Sequence, residues 1–410
     1  MTGQDQQLWV GIDIGKRAHH AAAIDTEGNP VWSHRITNDQ ESIERIVALA
    51  MSMSTDVRWA VDMTSHEAAL LLGVLNTAGQ RVQYVPGRIV HRMTGAFTGE
   101  GKTDARDALV IAQTARMRAD IAQLAPPDEM IVELTVLTGH RTDRVGDWTR
   151  GVNRLRGLLT SIFPGLERSF DYSTRTGLIL LTRYCTPESI RAVTDDEMAE
   201  FLQAGGVRRP TIPGMVMKAR DMAECQNVVL PGEAAVSHLV MRLAGQLLEL
   251  DREIKDLDKQ IAAAFRRHRH AHIIESVPGI GTRLGAEFLA ATGGDMAAFG
   301  SAAKLAAYAG LAPVSHDSGS RSGVLHRPRR YHRELRRVFY MAAFSSVQRP
   351  GPSREFYQRK RGEHRHHNHA VIALARRLVD VLWALLRDER PWSEIDPKQE
   401  RWCSRDATAV

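Results

Sequence analysis

Cysteine is scarce in this chain, and what there is of it is scattered. Cys185, Cys225 and Cys403 stand too far apart to form a metal-ligand spacing, and so few thiols predict no disulfide framework. Long apolar runs are also missing. No stretch approaches the roughly 18 residues that a membrane span requires, and Met1 to Gln7 carries no signal-peptide pattern. A cytoplasmic protein without a membrane partner is therefore expected. What remains is ordinary globular material: 410 residues, 43% hydrophobic and 25% charged, enough for two or three domains.

Charge is unevenly spread. The formal balance is +6, and acidic residues share the N-terminal third while arginines crowd the middle and the end. That distribution makes nucleic acid a plausible partner.

The first apolar stretch, Leu8-Trp9-Val10-Gly11-Ile12-Asp13-Ile14-Gly15, reads as a strand with one carboxylate set among apolar neighbours. A charge in a half-buried strand costs several kcal/mol unless a counter-charge or cation compensates it. Asp13 therefore calls for a metal ion and for further carboxylates. Two more strands follow, His19 to Ile24 and Val31 to Ile36, joined by the turn Thr26 to Pro30. Asn38 with Glu41 has the spacing of a capping box before a helix with apolar positions Ile43, Ile46, Val47, Leu49 and Ala50. A strand Val57 to Asp62, a helix Glu67 to Leu75 and a strand Val82 to Val85 complete the pattern. Three antiparallel strands, then helix, strand, helix, strand, is the order of a ribonuclease H-like domain.

The next helix opens on Lys102-Thr103-Asp104-Ala105-Arg106-Asp107-Ala108 and runs through Arg116. Asp104 and Asp107 share one helical face. Alone, they would be read as an acidic first turn favoured by the helix dipole, with Asp104 a candidate cap. With Asp13 and Asp62 they make four carboxylates from three elements, brought by this fold to one sheet edge. Hard oxygen donors in that number suit Mg²⁺ or Mn²⁺.

Pro126-Pro127 marks a boundary, giving a first domain of residues 1–125. A helical region follows over 126–270. Val145, Trp148, Val152, Leu155, Leu159 and Ile162 form an apolar seam flanked by Arg141, Arg144, Arg150, Arg154 and Arg156. Residues 166–232 read as a small helical insert of unassigned role. Val236, Val240, Leu243, Leu247, Leu250, Ile254, Leu257 and Ile261 keep heptad spacing, so this is a coiled-coil helix. Its partner is the helix ending at Ile162, the same helix in another subunit, or both. The helix runs out into Arg266-Arg267-His268-Arg269-His270, either a solvated charge run or a phosphate contact.

A C-terminal domain is expected over 271–390, with 391–410 as a tail. Pro278-Gly279-Ile280-Gly281 resembles the turn of a helix-hairpin-helix, whose exposed N–H groups hold a DNA phosphate; a plain tight turn is the alternative. The Val314 to Gly323 loop holds four serines among glycines. It reads as a linker by composition, yet Arg321, Arg327, Arg329, Arg330, Arg333, Arg336 and Arg337 around it would surround a phosphodiester. Chemistry alone does not choose a nucleophile among the serines. Arg359-Lys360-Arg361 and His364-Arg365-His366-His367-Asn368-His369 form a last basic stretch. No ligand pattern there completes a zinc site, so a solvated or nucleic-acid-facing surface is expected.

Taken together, Gly11-Ile12-Asp13, the acidic Asp62, Lys102 to Ala108, Pro278 to Gly281, Ala309-Gly310-Leu311-Ala312-Pro313 and Ser318-Gly319 resemble the DEDD transposases of insertion sequences. That family includes pilin-gene invertases and bridge-RNA-guided recombinases. The resemblance covers both ends of the chain and leaves out 166–232. It implies a RuvC-like metal site on Asp13, Asp62, Asp104 and Asp107, and Ser318 as the serine of a C-terminal transposase domain that attacks DNA. The second position is usually glutamate in the family; here a shorter aspartate keeps the carboxylate. It also implies donor and target DNA, a structured noncoding guide RNA, and a homo-oligomer, dimeric and then tetrameric on DNA. In that setting Lys102, Arg141, Arg144, Arg154, Arg266, Arg267, Gly279, Gly281, Arg321, Arg329, Arg330 and Arg333 are the expected nucleic-acid contacts.

Other classes fit less of the chain. A RuvC-like hydrolytic nuclease or junction resolvase would use the carboxylates and leave the serine loop idle. A sugar kinase or actin-like ATPase also begins Gly-Ile-Asp-Ile-Gly, but Lys16-Arg17 follows and no second glycine-rich phosphate loop is present.

Overall fold

The structure is a computed structural model of the full chain. It describes residues 7–63, 66–94, 103–121, 123–124, 128–315, 325–326 and 328–393. The chain divides into two compact units, residues 1–126 and 127–410.

The first unit is built on a mixed sheet. Strands β1 (Leu8–Asp13), β2 (Ala18–Ile24) and β3 (Pro30–Thr37) are antiparallel neighbours, while β4 (Val57–Val61) and β5 (Arg81–Tyr84) continue from β1 in parallel. The order is β3-β2-β1-β4-β5. β1 is thus central and apolar on both faces, as its near-continuous hydrophobic run requires. Helices α1 (Gln40–Met53) and α2 (Ala69–Thr77) share one core with Val10 and Ile12. Helices α3 (Gly87–Thr94) and α4 (Asp104–Met117) share another with Trp9.

Local capping differs from the expected pattern at α1. Asp39, in extended geometry, accepts the Ser42 N–H at 2.8 Å and is the cap. The Asn38 amide donates instead to the Glu67 carbonyl at 3.3 Å, tying two connections together.

The second unit is helical. α5 (Glu129–Ile162) and α11 (Glu233–Arg266), each 34 residues, pack against each other within the chain. Their pairing is antiparallel: Leu247 lies against Gly151, Asp258 pairs with Arg141, and Arg267 pairs with Glu133. Between them the segment 163–232 folds as five short helices, α6 (Pro164–Ser169), α7 (Arg175–Leu181), α8 (Pro187–Arg191), α9 (Asp195–Ala204) and α10 (Ile212–Glu224). They close a core over Val152, Leu155, Leu159, Val240 and Leu247.

At the other end of the hairpin a second core joins Ile131, Leu134, Ile261 and Phe265 to six more helices. These are α12 (Ala271–Ser276), α13 (Thr282–Thr292), α14 (Ala302–Tyr308), α15 (Arg333–Ser346), α16 (Pro352–Gly362) and α17 (His367–Arg387). A two-stranded ribbon, β6 (Val314–Ser315) and β7 (Leu325–His326), stands between α14 and α15. Among the described residues no helix is long and apolar enough to cross a membrane.

Candidate active site

Asp13 ends β1, Asp62 follows the last residue of the neighbouring β4, and Asp104 and Asp107 lie in the first turn of α4. Strands β1 and β4 are adjacent and parallel, so their C-terminal ends leave the sheet side by side. Trp9, Gly11 and Asp13 alternate onto the face that α4 covers. Gly11 lets the helix come in: a β-carbon there would stand 2.2 Å from the Ala108 carbonyl oxygen and 2.3 Å from the Ala112 nitrogen. No other residue type permits that approach, which brings the acidic first turn of α4 down onto β1.

Thr103 caps α4, its hydroxyl accepting the Arg106 N–H at 3.3 Å. Asp104 is therefore not needed as the cap. Asp62 is a perturbed carboxyl. Burial pushes it above the usual carboxylate range, hydrogen bonds from its own backbone and that of Ile14 pull it back, and the charge of Asp107 pushes it up again. Its Oδ1 is buried with no hydrogen-bond partner. His20, opposite Asp13 in the β1–β2 register, is lowered by burial while the Asp104 charge acts in the other direction.

Among the described residues no three acidic, histidine or cysteine side chains stand close enough together to hold a metal ion between them. Mg²⁺ asks for less, taking one or two carboxylates and filling its octahedron with waters and phosphate oxygens. A buried, partnerless carboxylate oxygen on Asp62 beside the charge of Asp107 fits such an ion.

One buried network beside this edge escapes sequence reading. His19 is 1% exposed and its Nδ1 accepts the Gly15 N–H at 3.2 Å. Burial lowers its pKa, with Asn38 and Gly15 acting in the other direction. The Gly15 backbone is thus tied to His19. A histidine in an alanine-rich strand gives no sequence signal for that task.

Ser318 and Arg321 fall between β6 and β7, outside the described residues, as does Lys102. The base of that loop is fixed. A β-carbon on Gly310, at φ +69°, would stand 2.4 Å from the Tyr331 ring. Arg336 lies 4.9 Å over the same ring and donates to the Gly310 carbonyl at 3.1 Å, while the His332 N–H donates to the Tyr308 carbonyl at 2.8 Å.

The expected nucleic-acid residues divide. Arg141 is committed to Asp258 through two hydrogen bonds of 2.6 and 3.2 Å, Arg144 pairs with Asp147, and Arg267 pairs with Glu133. Arg154, Arg266, Arg329, Arg330 and Arg333 are exposed. Gly279, at φ +85°, is packed so tightly that a β-carbon would meet the Ala342 carbonyl oxygen at 2.1 Å, whereas Gly281 faces open space at the start of α13. A cavity of about 490 Å³ opens beside this turn, lined also by Ser345 and Arg349.

A five-strand sheet in this order, with a carboxylate at the end of its central strand and helices on both faces, is a ribonuclease H-like fold. Residues 10–164 match a family model described as Transposase (DEDD_Tnp_IS110), and residues 271–358 match one described as Transposase IS116/IS110/IS902 family. The 44.8 kDa protein of insertion element IS116 from Streptomyces clavuligerus is 48% identical over 97% of this chain and 99% of its own length. The 42 kDa protein of insertion element IS900 from Mycobacterium paratuberculosis is 46% identical over 93% and 96%. A pilin gene-inverting protein of Moraxella bovis is 30% identical over 63% of this chain and 80% of its own. The chain belongs to the IS110/IS116/IS902 family of transposases. It acts in transposition and therefore binds DNA.

Proposed function

We propose that the protein cuts and rejoins DNA through a covalent phosphoserine intermediate. The metal half of its centre is Asp13, Asp62, Asp104 and Asp107, and the nucleophile is Ser318. The observation that carries the reading is the approach of α4 to Gly11, which sets a two-aspartate first turn over the strand that ends in Asp13. Mg²⁺ or Mn²⁺ bound there would stabilise the negative charge that develops on the phosphate. The remaining roles belong to the chain. Thr103 frees Asp104 by taking over the cap, and Asp62 offers a desolvated oxygen beside Asp107. In the reaction the Ser318 Oγ forms a bond to phosphorus, its proton passes to solvent or base, and the departing sugar oxygen is released as a hydroxyl. One ester replaces another, so reversal of the attack by a new sugar hydroxyl reseals DNA without nucleotide hydrolysis.

Residues 1–125 would serve the metal, 126–270 assembly, and 271–390 the serine. A homo-oligomer and a structured noncoding guide RNA belong to the same proposal. Exposed arginines at 154, 266, 329, 330 and 333 suit recognition of backbone shape, which is what remains for a protein when sequence choice is delegated to base pairing.

The test is a denaturing gel of protein with labelled donor DNA and Mg²⁺. A protein–DNA adduct in the wild type, absent in Ser318→Ala, is the expected result. Strand cleavage that persists in Ser318→Ala without any adduct would mean hydrolysis by a RuvC-like nuclease.

A further inference from the structure

The turn between α16 and α17 holds a surface that the carboxylates and the serine loop do not use. Every residue from 361 to 369 is exposed. Within 356–369 the one acidic residue is Glu363, and Lys360 neutralises it at 2.9 Å. Arg361 donates to the Arg365 carbonyl at 2.6 Å, holding the turn, and Arg365 extends the positive charge into solvent.

Rings line the same corner. Phe344 of α15 is 38% exposed. His367 stands 6.2 Å from Phe344 and 5.7 Å from Tyr357, edge-on to both. The Tyr357 hydroxyl is 2.9 Å from His367 Nδ1, and the Tyr340 hydroxyl donates to Asn368 at 3.3 Å. These contacts hold the histidine and tyrosine rings in place, so the ledge is formed before anything binds.

We propose that this ledge binds an unpaired stretch of nucleic acid, with bases stacking on Phe344 and His367 and the phosphate chain running past Arg361 and Arg365. Pre-set rings beside guanidinium groups suit single strands, because unpaired bases offer a free π-face to every ring while a duplex offers only its phosphates. A solvated basic turn would need no ordered rings. The surface is separate in sequence from the residues proposed for strand cleavage, and binding alone reads it out.

The experiment is fluorescence anisotropy of the full chain with a labelled 12-nucleotide DNA, the same sequence as RNA, and the corresponding DNA duplex. Phe344→Leu is expected to weaken single-strand binding about tenfold and duplex binding less than about twofold. Phe344→Trp, which restores a ring, is expected to recover single-strand affinity. Arg365→Gln should reduce the dependence of log K on log salt by about one ion. A preference for the RNA or the DNA strand identifies which of the two the ledge takes. The proposal is overturned if Phe344→Leu binds all three probes as the wild type does, or loses single-strand and duplex affinity equally. Matching thermal midpoints show that each variant is folded.

Discussion

Gly11 and Ala108 approach so closely that a β-carbon on the glycine would lie 2.2 Å from the alanine's carbonyl oxygen. Both partners of that clash are backbone, and no side chain can swing away to relieve it. Gly11→Ala must therefore lift α4, and with it Asp104 and Asp107, off the end of β1. The expected loss is on the order of 3 kcal/mol, read as a lower thermal midpoint, together with loss of DNA cleavage. Gly139→Ala in α5, where nothing lies within 4 Å of the added carbon, is the control and should stabilise by up to about 1 kcal/mol. Equal midpoints for the Gly11 variant and the wild type would show that the helix is not held there.

The difference between those two glycines shows what the sequence could and could not disclose. The strand order, the acidic first turn of α4 and the long heptad helix were legible because each rests on periodicity along a single element. The reason for Gly11 was not, because it depends on a helix that arrives about a hundred residues later. The cap lies one residue beyond the expected Asn38, at Asp39: the two have equal capping chemistry, and only the long-range bond of Asn38 to Glu67 decides between them. The arginines beside the α5 seam looked uniformly basic in sequence. The fold gives Arg141, Arg144, Arg150 and Arg156 acidic partners and leaves Arg154 exposed.

Arg141 lies on a part of the hairpin where buried side chains are missing. From Thr138 to Val152 on α5, and from Leu247 to Ile261 on α11, no residue between those limits is buried. That leaves a stretch of about 20 Å at 1.5 Å per residue held by half-buried contacts and by the Arg141–Asp258 pair. Arg141→Ala is expected to cost about 1–3 kcal/mol, since the side chain is only 12% exposed and makes two charge-assisted bonds. A double-mutant cycle with Asp258→Ala should show coupling. DNA affinity should change less than in Arg154→Ala, and the reverse order would make Arg141 a nucleic-acid contact.

Arg336 offers a way to disturb the serine loop without entering it. Its guanidinium is stacked on Tyr331 and bonded to the Gly310 carbonyl, so it joins the two ends of the segment that carries Ser318. Arg336→Gln keeps a donor but loses the stacking charge. The expected result is slower adduct formation, about tenfold, with DNA affinity within about twofold of wild type. A parallel loss of affinity would mean that Arg336 contacts DNA itself.

Asp62 links stability to the proposed metal. Its pKa is raised in the fold, first by burial and then by the Asp107 charge. As pH rises the unfolded chain gives up this proton before the folded chain does. The group's contribution is therefore intact below the ordinary carboxylate value and is lost as pH climbs through the raised one. Asp62→Asn removes that loss, so without divalent metal the variant should melt higher than wild type at pH 7, with the gap closing toward pH 3. Adding Mg²⁺ should reverse the ranking. An ion that binds only the folded protein raises the wild-type midpoint, and the variant, lacking the carboxylate, should respond less. The two arms are separable. A midpoint gap that stays constant from pH 3 to 7 would mean that the buried charge is compensated by the protein alone. Equal Mg²⁺ responses would take Asp62 out of the proposed metal site.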